Sequence, residues 1–199
     1  MQVVLLTGPS GCGKSRLTRR AGLPTLALDE FYRDGDDPDL PKRFGIVDWD
    51  DPRSWHKDGA LQAIGWLVKT GEALVPDYDM KSNSKVGSHL IDAAGAPLVF
   101  AEGVFAGELV APLQRDGVLA TAICLKRPRL LSFIFRLTRD IREGRKPIPT
   151  LIRRGFGLLR EEPKLIRHWA AQGCQPMSFK QAEQKIAALQ AQLASGSDN

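Results

Sequence analysis

Three kinds of feature are scarce in this chain of 199 residues, and each scarcity removes a class of protein. Cysteine occurs only as Cys12, Cys124 and Cys174. The number is odd, the spacings are wide and no pair stands at metal-ligand spacing, so neither a disulfide framework nor a zinc site is expected. Long apolar runs are missing: nothing approaches the roughly 18 consecutive apolar residues of a spanning helix. The opening Met1-Gln2-Val3-Val4-Leu5-Leu6 enters a glycine-rich turn with no basic stretch before it, which does not fit a targeting segment. Reduced thiols and the lack of a membrane segment make the cytoplasm the expected location. Internal repeats are missing too, which leaves no solenoid reading. What remains is 43% hydrophobic, enough apolar material for one compact domain. That domain is expected over 1–193, with a disordered tail over 194–199.

Charge is unevenly spread. Asp29 to Asp58 holds ten acidic and five basic residues, whereas Lys126 to Arg167 holds thirteen basic and four acidic ones, a local excess of +9 against +5 for the whole chain. The anion-binding surface is expected in the second stretch. Such a segment suits nucleic acid, acidic lipid or a phosphorylated small molecule alike.

Hydrophobic patterning predicts alternating strands and helices. Val3 to Leu6 reads as a strand leading into a glycine-rich loop and a helix from Ser15, and Pro24 to Leu28 as a second short strand stopped by Asp29. Arg33 to Pro52, rich in Asp, Pro and Gly, reads as a long exposed loop, and a loop of that length inside a domain is usually functional. Leu61, Ile64, Leu67 and Val68 stand at helical spacing within a helix over Ser54 to Thr70, with Gly71 as its C-terminal cap. Pro97 to Ala101 and Val118 to Leu125 are continuous apolar runs, the pattern of strands buried on both faces of a parallel sheet. Arg129 to Ile141 reads as a striped helix, helices dominate after Arg153, and a last strand is expected near Cys174 to Met177. The sum is a doubly wound α/β fold with a mostly parallel five-stranded sheet flanked by helices.

The sharpest motif is Gly8-Pro9-Ser10-Gly11-Cys12-Gly13-Lys14-Ser15, a glycine, four residues, then Gly-Lys-Ser, with a strand before it and a helix after it. That context is the one a phosphate-binding loop (P-loop) requires. Glycines let successive N–H groups curve around an anion, the helix N-terminus adds its dipole, the lysine reaches the terminal phosphates, and the serine hydroxyl can ligate Mg2+. ATP with Mg2+ is therefore the expected ligand pair. Nucleotide binding alone leaves three classes open: a phosphotransferase, a GTPase-type switch, and an ATP-dependent nucleic-acid-binding protein.

Further blocks follow in order: Leu28-Asp29-Glu30-Phe31-Tyr32, Asp48-Trp49-Asp50-Asp51-Pro52, Val75-Pro76-Asp77-Tyr78-Asp79, Phe100-Ala101-Glu102-Gly103-Val104-Phe105, and Arg136-Leu137-Thr138-Arg139-Asp140-Ile141. With the phosphate loop, this series resembles the uridine kinase family, in the wider group that includes phosphoribulokinase. The resemblance covers most of residues 3 to 146 and stops before Arg153. It implies an ATP-dependent kinase acting on a small hydroxylated molecule, most directly the 5′-hydroxyl of a nucleoside, with another sugar, phosphosugar or cofactor precursor as the alternative acceptor.

The resemblance also implies roles. Asp29, at the carboxyl end of the second strand, would orient the acceptor hydroxyl and take its proton; the lesser alternative is an aspartate that caps a helix or anchors the loop. Glu102 beside Ser15 would serve the magnesium ion, directly or through water. Arg136 and Arg139, three apart on one helix face, would stabilise the migrating phosphoryl group from a lid over 136–147, with Arg145 near the substrate. Tyr32, Trp49, Asp50 and Tyr78 would form the acceptor pocket, rings against the base and carboxylate on the sugar. Two positions depart from the family: Asn83 replaces a histidine that helps read the pyrimidine, and Met80 stands where a second aromatic is expected. Base specificity is thus left open. Adenine contacts are expected from loops near Arg127 and Cys174.

The other two classes lose ground on what is missing. Asp92-Ala93-Ala94-Gly95 resembles a GTPase magnesium motif but precedes its strand, and no Asn-Lys-x-Asp motif occurs. The basic segment lacks aromatics interleaved with its arginines, and no nucleic-acid recognition motif is present. Nothing in the sequence indicates an oligomeric state.

Overall fold

The computed structural model describes residues 1–43, 45–128 and 161–195. Strands β1 (Gln2–Thr7), β2 (Thr25–Ala27), β7 (Leu98–Glu102), β8 (Leu119–Leu125) and β9 (Gln175–Met177) form one five-stranded sheet in the order β2-β7-β1-β8-β9. Every neighbouring pair in it is parallel. Two short antiparallel ribbons stand apart, β3 (Lys42–Arg43) with β4 (Ile46–Val47), and β5 (Glu72–Asp79) with β6 (Ser84–Asp92). The helices are α1 (Lys14–Ala21), α2 (Lys57–Thr70), α3 (Val110–Arg115), α4 over 161–171, and α5 (Phe179–Ser195). Among the described residues no helix is long and apolar enough to cross a membrane.

The two-residue side-chain period of a strand explains the unbroken run Val3–Leu6, whose four residues are each 0% exposed. Val3 and Leu5 join a core with Leu26, Val99, Ala122, Ile64 and Leu67 on the face covered by α2 and α3. Val4 and Leu6 join a second core with Phe100, Ile123, Leu17 and Ile186 on the face covered by α1 and α5. A central strand sandwiched this way must be apolar at every position, since each buried Val or Leu side chain contributes about 1.5–3 kcal/mol.

Several boundaries differ from expectation for local reasons. The second strand ends at Ala27, because Leu28–Phe31 turns into a 3-10 helix. Helix α2 begins at Lys57 instead of Ser54: the Asp51 side chain accepts from the Arg53 N–H and winds Pro52–Ser54 into a separate 3-10 turn. Gly71 caps α2 in the left-handed conformation as expected, φ 84°, its N–H donating to Leu67 O. Glu102 is the last residue of β7 and not the one after it. Ala194 and Ser195, expected in the tail, close α5. The hairpin of β5 and β6 was not anticipated; it packs on α2 and the Leu28–Phe31 turn, burying Ala73 and Val75 while Leu74 and Leu90 face outward. The helix expected over 129–141 and the lid over 136–147 lie outside the described residues.

Candidate functional site

All three central connections bring chemistry to the carboxyl end of the sheet. β1 feeds the phosphate loop, β2 feeds the turn bearing Asp29, and β7 between them ends at Glu102. This is the side where ligands of open α/β sheets bind. The loop is built for backbone curvature: Gly8, Gly11 and Gly13 all have positive φ, at 146°, 82° and 105°. Gly8 has a second constraint, because a Cβ there would lie 2.4 Å from Leu125 O. Gly13 caps α1 with no side-chain bond, and no acidic residue stands in the first turn. The N-terminal N–H groups and dipole therefore face the cradle without a competing carboxylate, a ready anion site.

Lys14 Nζ donates to Gly8 O at 3.1 Å, spanning the loop. Glu102 accepts from the Ser15 hydroxyl; burial raises its pKa, Lys14 lowers it and Asp29 raises it again. Asp29 lies in an open cleft: water reaches its side chain, yet protein surrounds it on most sides, and that crowding raises its pKa against the opposing pull of Lys14 and of the Val104 N–H. Two carboxylates and one ammonium thus share the space in front of the loop. Gly103 keeps this space open, since a Cβ there would meet Leu28 Cβ at 2.7 Å and Asp29 Oδ1 at 3.1 Å.

Beside Asp29 stands an aromatic cluster centred on Tyr32. Tyr32 lies 5.7 Å from Trp49, edge to face, 5.9 Å from Tyr78 and 5.9 Å from Phe105, ring centre to ring centre. Burial raises the Tyr32 phenol well above its ordinary range, and Asp29, Asp50 and Tyr78 push the same way. The structure therefore groups Asp29, Tyr32, Trp49, Asp50 and Tyr78, drawn from three sequence blocks, and adds Phe105. Trp55, 5% exposed, backs the cluster: it lies 5.5 Å from Phe105, and its Nε1–H donates to Leu28 O at 2.8 Å. Phe105 closes the segment Phe100 to Phe105, where its apolar character carries no functional signal in the sequence.

Asn83 is placed differently. It closes the hairpin turn with φ 51°, a conformation that Asn tolerates better than most residues. Its carbonyl accepts from the Gly35 N–H at 2.6 Å, while Asp34 Oδ1 accepts from the Lys85 N–H at 2.7 Å. Tyr78 reaches the same segment, its hydroxyl donating to Arg33 O at 3.0 Å. The observed contacts of Asn83 are thus backbone ones that pin the hairpin tip to the acidic loop. Met80 is 54% exposed in the same turn.

Arg127 was foreseen only as a neighbourhood. Its guanidinium flanks the loop, with Nη2 3.8 Å from where a Gly13 Cβ would stand, beside the Phe179 ring at 3.6 Å. Arg16 and Arg20 lie over that ring at 5.2 and 5.9 Å. Arg136, Arg139 and Arg145 lie outside the described residues.

No protein-family model matches the chain. Inorganic pyrophosphatase TTM1 of Arabidopsis thaliana is 30% identical over 151 residues, covering 73% of this chain and 22% of that protein. The chain spans about a fifth of the length of the curated relatives it matches. Among solved structures, a Silicibacter sp. TM1040 protein assigned as a fructose transport system kinase superposes with a TM-score of 0.55 at 21% identity, covering 84% of each chain. A Bacillus stearothermophilus protein assigned as a uridine kinase gives 0.44 at 18%, over 68% of this chain and 76% of the other. The parallel sheet, the glycine-rich loop after β1 and the first of these superpositions agree on the fold: a five-stranded parallel α/β sheet flanked by helices, with a phosphate-binding loop leaving its central strand.

Proposed function

We propose that the protein transfers the γ-phosphate of ATP to a hydroxyl of a small molecule. The observation that carries this reading is the convergence of Asp29 and Glu102 on Lys14 from the ends of adjacent strands, with an aromatic cluster centred on Tyr32 three residues beyond Asp29. A nucleotide switch needs no acceptor site beside its phosphate loop; a kinase needs a carboxylate and a binding surface for its acceptor.

The phosphate loop fits ATP, and Ser15 with Glu102 offers the oxygen donors that Mg2+ takes. When bound, Mg2+ supplies charge neutralisation at the phosphates. Lys14 sits where it can hold the terminal phosphates. Asp29 orients the acceptor hydroxyl and takes its proton, and its raised pKa makes it a better proton acceptor than an ordinary aspartate. The Val104 N–H holds the carboxylate in place. Tyr32, Trp49, Tyr78 and Phe105 exclude water and wall a flat or ring-shaped acceptor, with Asp50 available to its hydroxyls. Arg136 and Arg139 are assigned to the migrating phosphate, and Arg145 to the substrate, by resemblance.

For the acceptor, a nucleoside 5′-hydroxyl is the first reading and a sugar or cofactor precursor the second. Because Asn83 and Met80 stand where the family carries a base-reading histidine and a second aromatic, uridine and cytidine are expected to be poor substrates. An ADP-release screen over nucleosides, sugars and cofactor precursors tests this, with Lys14→Ala as the inactive control and inorganic pyrophosphate included for the sake of the TTM1 similarity. Acceptor-dependent ADP release supports the kinase. Phosphate release from pyrophosphate without any acceptor-dependent ADP overturns it.

A further inference from the structure

Away from the phosphate loop, Glu30 on the 3-10 turn, Asp77 on β5 and His89 on β6 bring a ligand atom each to within 4.8 Å of one another. Strand register explains the meeting. Val75 pairs with His89 and Asp77 with Gly87, so Asp77 and His89 lie diagonally on one face of the hairpin, the face that buries Val75. The Leu28–Phe31 turn packs on β5 and brings in Glu30 from a third element.

The hydrogen bonding is asymmetric. His89 Nδ1 lies 2.5 Å from Asp77 Oδ1, whereas Nε2 lies 3.9 Å from Glu30 Oε2. A carboxylate only accepts, so Nδ1 carries the proton and, in the neutral ring, Nε2 presents its lone pair to Glu30. Two acceptors then face each other across a gap too long for a hydrogen bond. Two ligand bonds of about 2.0–2.2 Å at a tetrahedral angle place their donor atoms about 3.3–3.6 Å apart, so a closure of about half an ångström brings both atoms onto one ion. A carboxylate that fixes the distal N–H of an imidazole is also the usual support of a metal-binding histidine.

We propose that this cluster is a divalent transition-metal site, with His89 Nε2 and Glu30 Oε2 as ligands and Asp77 orienting the imidazole. One imidazole with carboxylate oxygen favours Zn2+, Co2+ or Mn2+ over Mg2+, whose preference is for oxygen alone. The site is separate from the Ser15 and Glu102 pair, and it does not depend on the acceptor being a nucleoside. Glu30 and Tyr32 also line a groove of about 760 Å³ between α2 and the hairpin, with Trp66, Leu74, Lys85 and Leu90. The ion would also tie the hairpin to the turn that carries Asp29.

The test is titration of the untagged, nucleotide-free chain with Co2+ and Zn2+, followed by the visible bands of bound cobalt and by calorimetry. One ion per chain is expected, retained in excess Mg2+ and lost in His89→Gln and in Glu30→Gln. Asp77→Asn is expected to weaken binding by about 10–100-fold, the range for removal of an outer-shell carboxylate. Circular dichroism checks each variant; if His89→Gln fails to fold, Glu30→Gln carries the test. A wild-type chain that binds neither ion overturns the proposal, as does wild-type affinity in Glu30→Gln.

Discussion

Replacing Gly8 by alanine tests the phosphate loop through its backbone. Gly8 sits at φ +146°, and an added Cβ would meet Leu125 O at 2.4 Å, Cys12 Sγ at 3.0 Å and Leu125 N at 3.2 Å. The two nearest backbone atoms belong to β8, which is paired with β1 and cannot retreat without breaking the sheet. Two costs add. A side chain at positive φ is worth about 1–2 kcal/mol, and forcing a methyl into a filled space about 1–3 kcal/mol. The sum of about 2–5 kcal/mol is a large part of the roughly 5–15 kcal/mol that holds a domain together. For a chain of this size it corresponds to a fall in Tm of about 4–20 °C, at about 2–4 °C per kcal/mol. Gly22→Ala provides the comparison, since Gly22 also has positive φ, +64°, but nothing within 4 Å of its Cβ position. It should lose only the conformational part, about 1–2 kcal/mol. Differential scanning calorimetry gives both shifts, and titration with Mg·ATP reports the loop, whose displacement in Gly8→Ala should cost at least about tenfold in affinity, or 1.4 kcal/mol. If Gly8→Ala is as stable as Gly22→Ala and binds ATP normally, the close approach to Leu125 does not shape the loop.

Two further substitutions probe the carboxylate and its support. Asp29 has a raised pKa in the fold, so the folded state holds that proton more tightly than the unfolded chain, and the ionised form costs stability above the folded pKa. Asp29→Asn, which can still accept from Val104, should therefore be inactive yet more stable than wild type at pH 7. The difference should shrink as pH falls through the raised pKa and the wild-type carboxyl protonates; a less stable Asn variant at pH 7 would identify a structural cap instead. In the wild type, kcat/KM should fall on the acid side with a midpoint above the ordinary aspartate range, and an inflection at or below that range would count against Asp29 as the base. Trp55→Phe removes the donor to the buried Leu28 carbonyl, a loss of about 1–3 kcal/mol; unchanged chemical unfolding would show that this bond does not hold the turn.

What could be read in the sequence depended on how local its cause was. The strands of the sheet were legible because burial on both faces demands unbroken apolar runs such as Val3–Leu6 and Leu98–Ala101. The phosphate loop was legible because curvature around an anion demands glycine at fixed positions. The β5–β6 hairpin was not, because half its residues face solvent and Leu74, Val86 and Leu90 break the polar alternation. The place of Asn83 is set by a left-handed turn that only the paired strands define, which a linear sequence does not display. Glu30 and His89 are 59 positions apart along the chain, and nothing short of the hairpin register brings them together.

That hairpin enters and leaves the fold at one point, Glu72 paired with Asp92. An excursion whose ends already touch adds little loop-closure entropy when its length or composition changes. It pairs with no strand of the main sheet. A cassette of this kind can be grafted between related scaffolds as a unit, with the nucleotide machinery left untouched. Exchange of residues 72–92 is therefore the natural route by which such a scaffold would diversify, and the natural place to begin re-engineering it.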